Sequence, residues 1–381
     1  MQTAGLQGKN KIIMNNFTKA LLIVPALAAS VLFQGCSGKK SEGAVQFNDT
    51  MSVRALAEQV SGIEILPLEA DESHMTGSIV ELHLIGDSFL LVDKINTRIY
   101  RYSPDGKFLC EIGRQGNGPG EYVNVGNIQV KDGCINVFSR PSKLLKYSFS
   151  GEFLEALEFD DLGGQSYETG EGILTYYGYG SGRGNRLGLV SDKGTAYMLP
   201  SSEKVLNMDS RSPIFSEGKD CILFTDTYSN TVKSFREGEV STYLAFDLGK
   251  YAIPEDFFKH DDSFAAMETL MSGTYALVEN YQEDGDSKLV NVKVQAPGKK
   301  AEEHLGLFRK GAWKWFSAGE LGVSPLAGGI QAIKGDSLYC TMDPYLLKNF
   351  PKELLPFLAD KNTLSSIPED GNTVIAIVKL K

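Results

Sequence analysis

Histidine, cysteine and clustered positive charge are all scarce in this 381-residue chain. The four histidines, His74, His83, His260 and His304, include no His-x-His or His-x3-His pair. They therefore offer no two rings on one strand or helix face for a metal, and the sequence predicts no metal site and no cofactor. Five cysteines, at 36, 110, 134, 221 and 340, show no zinc spacing. Cys110 with Cys134 is the one disulfide to test, and Cys134, Cys221 and Cys340 otherwise read as small buried hydrophobes. No run of Lys or Arg exceeds two residues, and from residue 36 onward 35 basic residues face 48 acidic ones, a formal net charge of −13. That balance argues against a nucleic-acid face or a binding face for anionic membranes. The carboxylates at Asp160–Asp161, Asp261–Asp262 and Glu283–Asp286 lack the regular oxygen spacing of a calcium loop. No Gly-x-Ser-x-Gly stands at a strand–helix elbow, and no Gly-Lys-Ser/Thr follows any glycine-rich loop.

Long apolar runs are also missing, with one exception near the start. Ala20 to Phe33 is apolar and is preceded by Lys9, Lys11 and Lys19, with Met14 a plausible true start. At about 14 residues it is too short to cross a bilayer and suits the h-region of a signal peptide. It runs into Gly35 and Cys36, which resembles a bacterial lipobox, although Phe33 and Gln34 depart from its usual residues. The resemblance implies that Cys36 carries lipid and becomes the mature N-terminus. Residues 1–35 are then a lipoprotein signal peptide and 36–60 a small, polar tether. Membrane contact is expected through this anchor only.

What the chain has in abundance is turns. Forty glycines are present, and one phrase occurs twice. Tyr102, Ser103, Gly106, Phe108 and Leu109 return, 45 residues on, as Tyr147, Ser148, Gly151, Phe153 and Leu154. Gly106, Gly151, Gly194 and Gly238 follow at spacings of 45, 43 and 44. A second phrase, Gly86 to Val92, matches Gly335 to Thr341, with weaker copies beginning at Asp132 and Lys219. Each is a two-residue turn leading into a β-branched or aromatic run. A repeat of this length built from short strands is the mark of a β-propeller blade.

Residues 61–381 divide into six blades once two stretches are set aside as insertions. Pro254–Met271 and Pro344–Asp360 place apolar residues at helical spacing, the second with Leu346, Leu347, Phe350, Leu354, Leu355 and Leu358 on one face, broken at Pro351 and Pro356. Without that subtraction the count would be seven. Free terminal strands would leave an open ring with unpaired backbone. Ile63–Leu68 and Asn372–Leu380, both strand-like, are therefore expected to share one blade and close it.

Two glycine-rich segments are candidate binding loops. Ile112–Tyr122 offers Arg114 and Gln115 as donors, with Glu121 and Tyr122 to pin the loop. Tyr176–Arg186 offers Tyr177, Tyr179 and Arg183, rings and a guanidinium able to stack on a sugar and hold a carboxylate. Equally, the first reads as an architectural connection and the second as a long hairpin of blade three. Together, the Gly118–Tyr122 phrase, the repeated Tyr-Ser hairpin and the lipobox resemble the six-bladed β-propeller lipoproteins of Bacteroidetes. These are similar in turn to NHL-repeat and TolB-like propellers. The resemblance implies a fold and a lipid-anchored location at the outer membrane or periplasmic face of a Gram-negative envelope, and no activity. The expectation is a non-catalytic binding scaffold for a protein or a saccharide. The alternative is a metal-dependent lyase or lactonase-like hydrolase with its site in the channel: three or more converging carboxylate or histidine side chains there would favour it, and a lining of backbone and apolar groups would favour the scaffold.

Overall fold

The computed structural model describes residues 43–49, 53–205, 213–260, 262–317 and 330–381. The expected signal peptide, Cys36 and the start of the tether lie outside these residues. Six antiparallel four-stranded sheets are arranged as a β-propeller. In chain order, blade 1 holds Ile79–Ile85, Ser88–Asp93, Arg98–Tyr102 and Phe108–Glu111. Blade 2 holds Asn127–Lys131, Cys134–Ser139, Lys143–Ser148 and Phe153–Glu158, and blade 3 holds Gln165–Glu168, Ile173–Tyr176, Asn185–Ser191 and Gly194–Pro200. Blade 4 holds Phe215–Glu217, Ile222–Thr225, Thr231–Arg236 and Glu239–Asp247, and blade 5 holds Tyr275–Asp284, Ser287–Gln295, Glu302–Arg309 and Ala312–Ser317. Blade 6 is composite: Ala332–Lys334, Ser337–Met342 and Val374–Leu380 from the C-terminal region, with Val60–Pro67 outermost.

Burial follows position within a blade. In blade 1 the second strand, Ser88–Asp93, packs against neighbours on both faces, and every residue is buried. The outermost strand of blade 2, Phe153–Glu158, is almost wholly exposed. Closure is as expected. Val60–Pro67 pairs antiparallel with Val374–Leu380, with Ile63 opposite Val378 and Ile65 opposite Ala376.

The repeated phrase encodes the joint between blades. Tyr102 is fully buried and donates to His74 O (3.1 Å), on the connection entering blade 1. Its counterpart Tyr147 is also buried and donates to Gly120 O (3.1 Å), on the connection entering blade 2. Phe108 stacks on His74 with ring centroids 4.3 Å apart. Gly106 and Gly151 have φ of +81° and +83°. A Cβ there would lie 2.5 Å from Pro67 O and Glu111 O, on the outer strand of the preceding blade.

The first insertion is helical as expected, and three other expectations change. The first insertion contains a turn of 3-10 helix, Glu255–Lys259, and one α-helix, Ser263–Ser272, capped by Asp262. The second is not one helix face. Pro351 and Pro356 remove backbone donors, and the segment breaks into 3-10 turns at Pro344–Asn349 and Leu355–Phe357 and a short helix at Thr363–Ser366. Leu347, Phe350, Leu354 and Leu358 are still buried, and Ala359 N donates to Ile63 O (2.8 Å), covering the open edge of the closing strand. The 36–60 stretch is not tether throughout. Val45–Gln46 adds a parallel fifth strand to blade 4 beside Phe246–Asp247, and Phe47 seats among Tyr251, His304 and Trp315. Finally, Cys110 and Cys134 are free thiols, on the outer strand of blade 1 and the second strand of blade 2.

Candidate functional site

The two glycine-rich loops pair most of their polar side chains locally, largely at the surface. Arg114 Nε binds Glu121 Oε1 at 2.6 Å, and Gly118 N donates to Glu121 Oε2 at 2.7 Å. That amide and the Arg114 guanidinium hold the Glu121 carboxyl below its usual range. Gln115 donates to Val123 O (3.2 Å), and Tyr122 is fully buried with its hydroxyl on Ile112 O (3.3 Å). In the second loop Arg183 forms a two-point pair with Asp161 (2.6 and 2.7 Å) and lies 4.6 Å over the Tyr177 ring. Tyr179 is buried beneath the first insertion, with Arg186 4.6 Å over its ring. The structure thus places Arg114, Gln115, Glu121 and Tyr122 at the blade 1–2 connection and Tyr177, Tyr179 and Arg183 in blade 3. None of the seven lines the central cavity.

That cavity is the channel. It has a volume of about 740 Å³ and is lined by the innermost strand of every blade. Such a strand exposes one backbone edge, and unpaired backbone groups there are costly. Polar side chains of the neighbouring blade fill much of that need. Glu81 of blade 1 accepts from Ile128 N of blade 2 (3.3 Å). Asn127 and Gln129 of blade 2 exchange paired hydrogen bonds with the backbones of Ser166 and Glu168 of blade 3, at 2.9 to 3.0 Å. Gln165 of blade 3 accepts from Ile214 N (2.9 Å) at the start of blade 4. Asn291 and Gln282 of blade 5 donate to the carbonyls of Ile330 and Gln331 (2.8 and 2.6 Å), and Gln331 donates to Ile79 O (3.3 Å) of blade 1. The amides are therefore occupied as staples between blades.

What remains for a ligand is mostly charge. Six carboxylates line the cavity, Glu81, Glu217, Glu279, Glu283, Asp284 and Glu303, against two ammonium groups, Lys293 and Lys334. Most are engaged: Glu81 with His83 (3.0 Å), Glu217 with Tyr167 (2.7 Å), Glu283 with Lys288 (3.4 Å), Asp284 with Gly335 N (2.5 Å) and Lys334 with Gly86 O (2.7 Å). Glu279, Lys293 and Glu303 form a half-buried group in the wall of blade 5. Lys293 stands opposite Glu303 across two strands and 3.8 Å from Glu279. Burial raises the Glu279 carboxyl, opposed by Lys293. Burial, and next the Glu279 charge, push Glu303 up to about 7. One cation thus serves two carboxylates, and the pair holds a proton close to neutral pH. Among the described residues, no three His, Cys, Asp or Glu side chains gather where they could hold one metal ion.

The raised Glu303 has a thermodynamic consequence. The folded protein keeps a proton that the unfolded chain releases near 4.5. Its contribution is complete below pH 4.5 and is lost as pH rises to about 7, beyond which the slope vanishes. Glu303→Gln should abolish that slope and stabilise the protein above pH 7 by on the order of 1–2 kcal/mol. Urea midpoints at pH 5, 6, 7 and 8 check this; an unchanged slope would contradict it.

These three residues escaped the sequence reading, although a signal was present. Leu289 to Val294 alternates apolar with Asn291 and Lys293, and Glu279 interrupts an apolar strand. Charge on the inner face of an otherwise apolar strand marks a channel wall or a buried pair.

No curated protein matches the chain. Among solved structures, a Bacteroides fragilis protein described as exported superimposes with a TM-score of 0.70 at 15% identity, over 89% of this chain and 99% of its own. A member of the DUF4221 family from Bacteroides vulgatus does so at 0.52 and 11% identity, over 85% and 99%. These likenesses bear on fold alone. Residues 45–379, which span all six blades, match the model of DUF4934, a domain of unknown function. The chain is therefore a member of the DUF4934 family.

Proposed function

We propose that this protein is a lipid-anchored envelope lipoprotein, tethered through Cys36, whose propeller binds a ligand without transforming it. The address is supported by the h-region and lipobox resemblance, and by the exported description of the B. fragilis protein of similar fold. The envelope face, outer membrane or periplasmic, follows from the lipoprotein reading. Rigid blades around an enclosed polar channel suit selective binding. The observation that carries the reading is the channel wall itself: its amides staple blade to blade, and its charged groups, six carboxylates against two ammonium groups and mostly paired within the protein, include no metal-ligand set among the described residues. Of the two ligand classes expected, the charge selects neutral saccharides and basic peptides over uronic-acid saccharides. Thermal unfolding in the presence of neutral oligosaccharides, uronic-acid oligosaccharides and basic peptides tests this. A neutral or basic ligand that raises Tm and is recovered unchanged is expected. Stabilisation by acidic saccharides alone would contradict the charge argument, and consumption of the ligand would replace the scaffold by the enzyme.

A further inference from the structure

The two ends of the disc are not equivalent. Strand direction alternates within a blade, so the connection into the first strand and the one between second and third strands emerge at one end. The tight hairpins emerge at the other. Both glycine-rich loops and both insertions belong to the first end. So do the three most exposed large apolar side chains, Phe264 (84%), Ile95 (72%) and Met271 (72%), with Tyr345 and Val123. Among the described residues, the other exposed large apolar side chains lie on outermost strands, and none sits in a tight hairpin.

Phe264 and Met271 project from the helix Ser263–Ser272. They are seven residues apart, on one stripe. The opposite stripe, Ala266 and Leu270, is buried against Tyr179, Tyr228 and Phe257. The helix is thus held rigidly from below and shows apolar groups outward, which core packing does not require.

The described N-terminal segment joins the propeller at the root of the first insertion. Val45–Gln46 pairs with Phe246–Asp247, the last residues of the strand that runs into the insertion. Phe47 packs on Tyr251, and Tyr251 donates to Asp49 (2.5 Å). Eight residues separate Cys36 from Val45, and these nine steps span at most about 30 Å fully extended. A lipid on Cys36 therefore lies within that reach of the root of the insertion; because the pairing is parallel, the chain enters Val45 from the hairpin side, so the tether allows either end to face a bilayer and the exposed apolar side chains distinguish them.

We infer that this end of the propeller seats on the lipid surface that holds the anchor, with Phe264 and Met271 entering the headgroup boundary; the inference rests on the lipoprotein reading of Cys36. A tethered face sees its surface at an effective concentration on the order of millimolar, so two shallow side chains suffice where a free protein would not bind. The neighbouring exposed acids Glu255, Asp256, Asp262 and Glu268 oppose anionic lipid and select a zwitterionic surface.

The test uses the lipidated full chain on phosphatidylcholine vesicles containing bromolipid, with Phe264→Trp and, at the hairpin end of blade 5, Asp286→Trp. Emission is taken as the difference from the parent, which holds Trp313 and Trp315. The indole introduced at position 264 should be quenched about twofold or more beyond the one at 286, and less when phosphatidylglycerol is added. Equal quenching at both positions, with the protein still floating with the vesicles, overturns the orientation and leaves the anchor standing. Failure to float, matched by Cys36→Ala, overturns the anchor and the orientation with it. An indole at 264 that is unquenched on vesicles but shielded from acrylamide in native envelope would assign the face to a protein and overturn the lipid surface.

Discussion

A chain ending at Thr373 should show no cooperative unfolding transition. The lost segment, Val374–Lys381, contains the strand that pairs with Ser337–Met342 on one side and Val60–Pro67 on the other. Val374, Ile375, Ala376, Val378 and Leu380 are all buried. Four of these are large aliphatic side chains, and at about 1.5–3 kcal/mol each their removal costs roughly 6–12 kcal/mol. That equals the whole stability of a typical domain, about 5–15 kcal/mol. The damage also spreads. Val60–Pro67 loses its strand partner, blade 6 is reduced to two strands, and the staple from Gln331 to Ile79 loses its support. Circular dichroism on heating should give a broad drift in place of a sharp step. Removing residues 1–42 instead should leave the midpoint within about 1 °C, because no strand, staple or core residue described above precedes Val45. A truncated chain that still melts sharply would mean that the blades stand without the ring.

Asp226→Ala should cost about 3–5 kcal/mol, the largest effect expected from one side chain. Asp226 is 1% exposed and accepts from Tyr176 Oη and Arg186 Nη2, each at 2.8 Å. Arg186 is itself nearly buried, lies over Tyr179 and donates to Pro200 O (2.7 Å). The network joins blade 3 to the connection in blade 4 and supports the first insertion. Removing the carboxylate leaves a guanidinium in the interior without its counter-charge. Arg186→Met should cost a comparable amount for the opposite reason. The double variant should lose much less than the sum, because neither charge is left alone. Arg186→Lys should rescue little, since an ammonium cannot reproduce the planar fork. Denaturant midpoints decide the matter, and additive losses would show that the pair acts as two separate contacts.

The architecture was legible wherever a single blade carries its own instructions. Tyr102, Gly106 and Phe108 and their partners 45 residues on are local in sequence, and their work, pinning the incoming connection, is the same in both blades. Closure was legible because free edges are costly wherever they fall. The second insertion was misjudged because apolar spacing alone cannot tell a helix from a chain of 3-10 turns when Pro351 and Pro356 interrupt it. The channel was illegible for a different reason. Glu279 and Glu303 lie 24 residues apart, on the first and third strands of blade 5. The register that brings them together includes an irregularity between Val278 and Tyr281. The Arg186–Asp226 pair spans 40 residues and two blades. Side chains of the glycine-rich loops were conspicuous because glycine makes a loop conspicuous. Arg114 and Tyr122 bond within their own loop, while the channel is lined by residues inside ordinary-looking strands.

The account depends on the chain ends locking six blades into one cooperative body. Native-state hydrogen exchange followed by mass spectrometry tests it directly. Peptides covering Val60–Pro67 and Val374–Leu380 should exchange together, at the slow rate of Ser88–Asp93 in the middle of blade 1, and only through global unfolding. Fast, independent exchange of either end while blade 1 stays protected would show a ring that opens without unfolding, and would contradict the account.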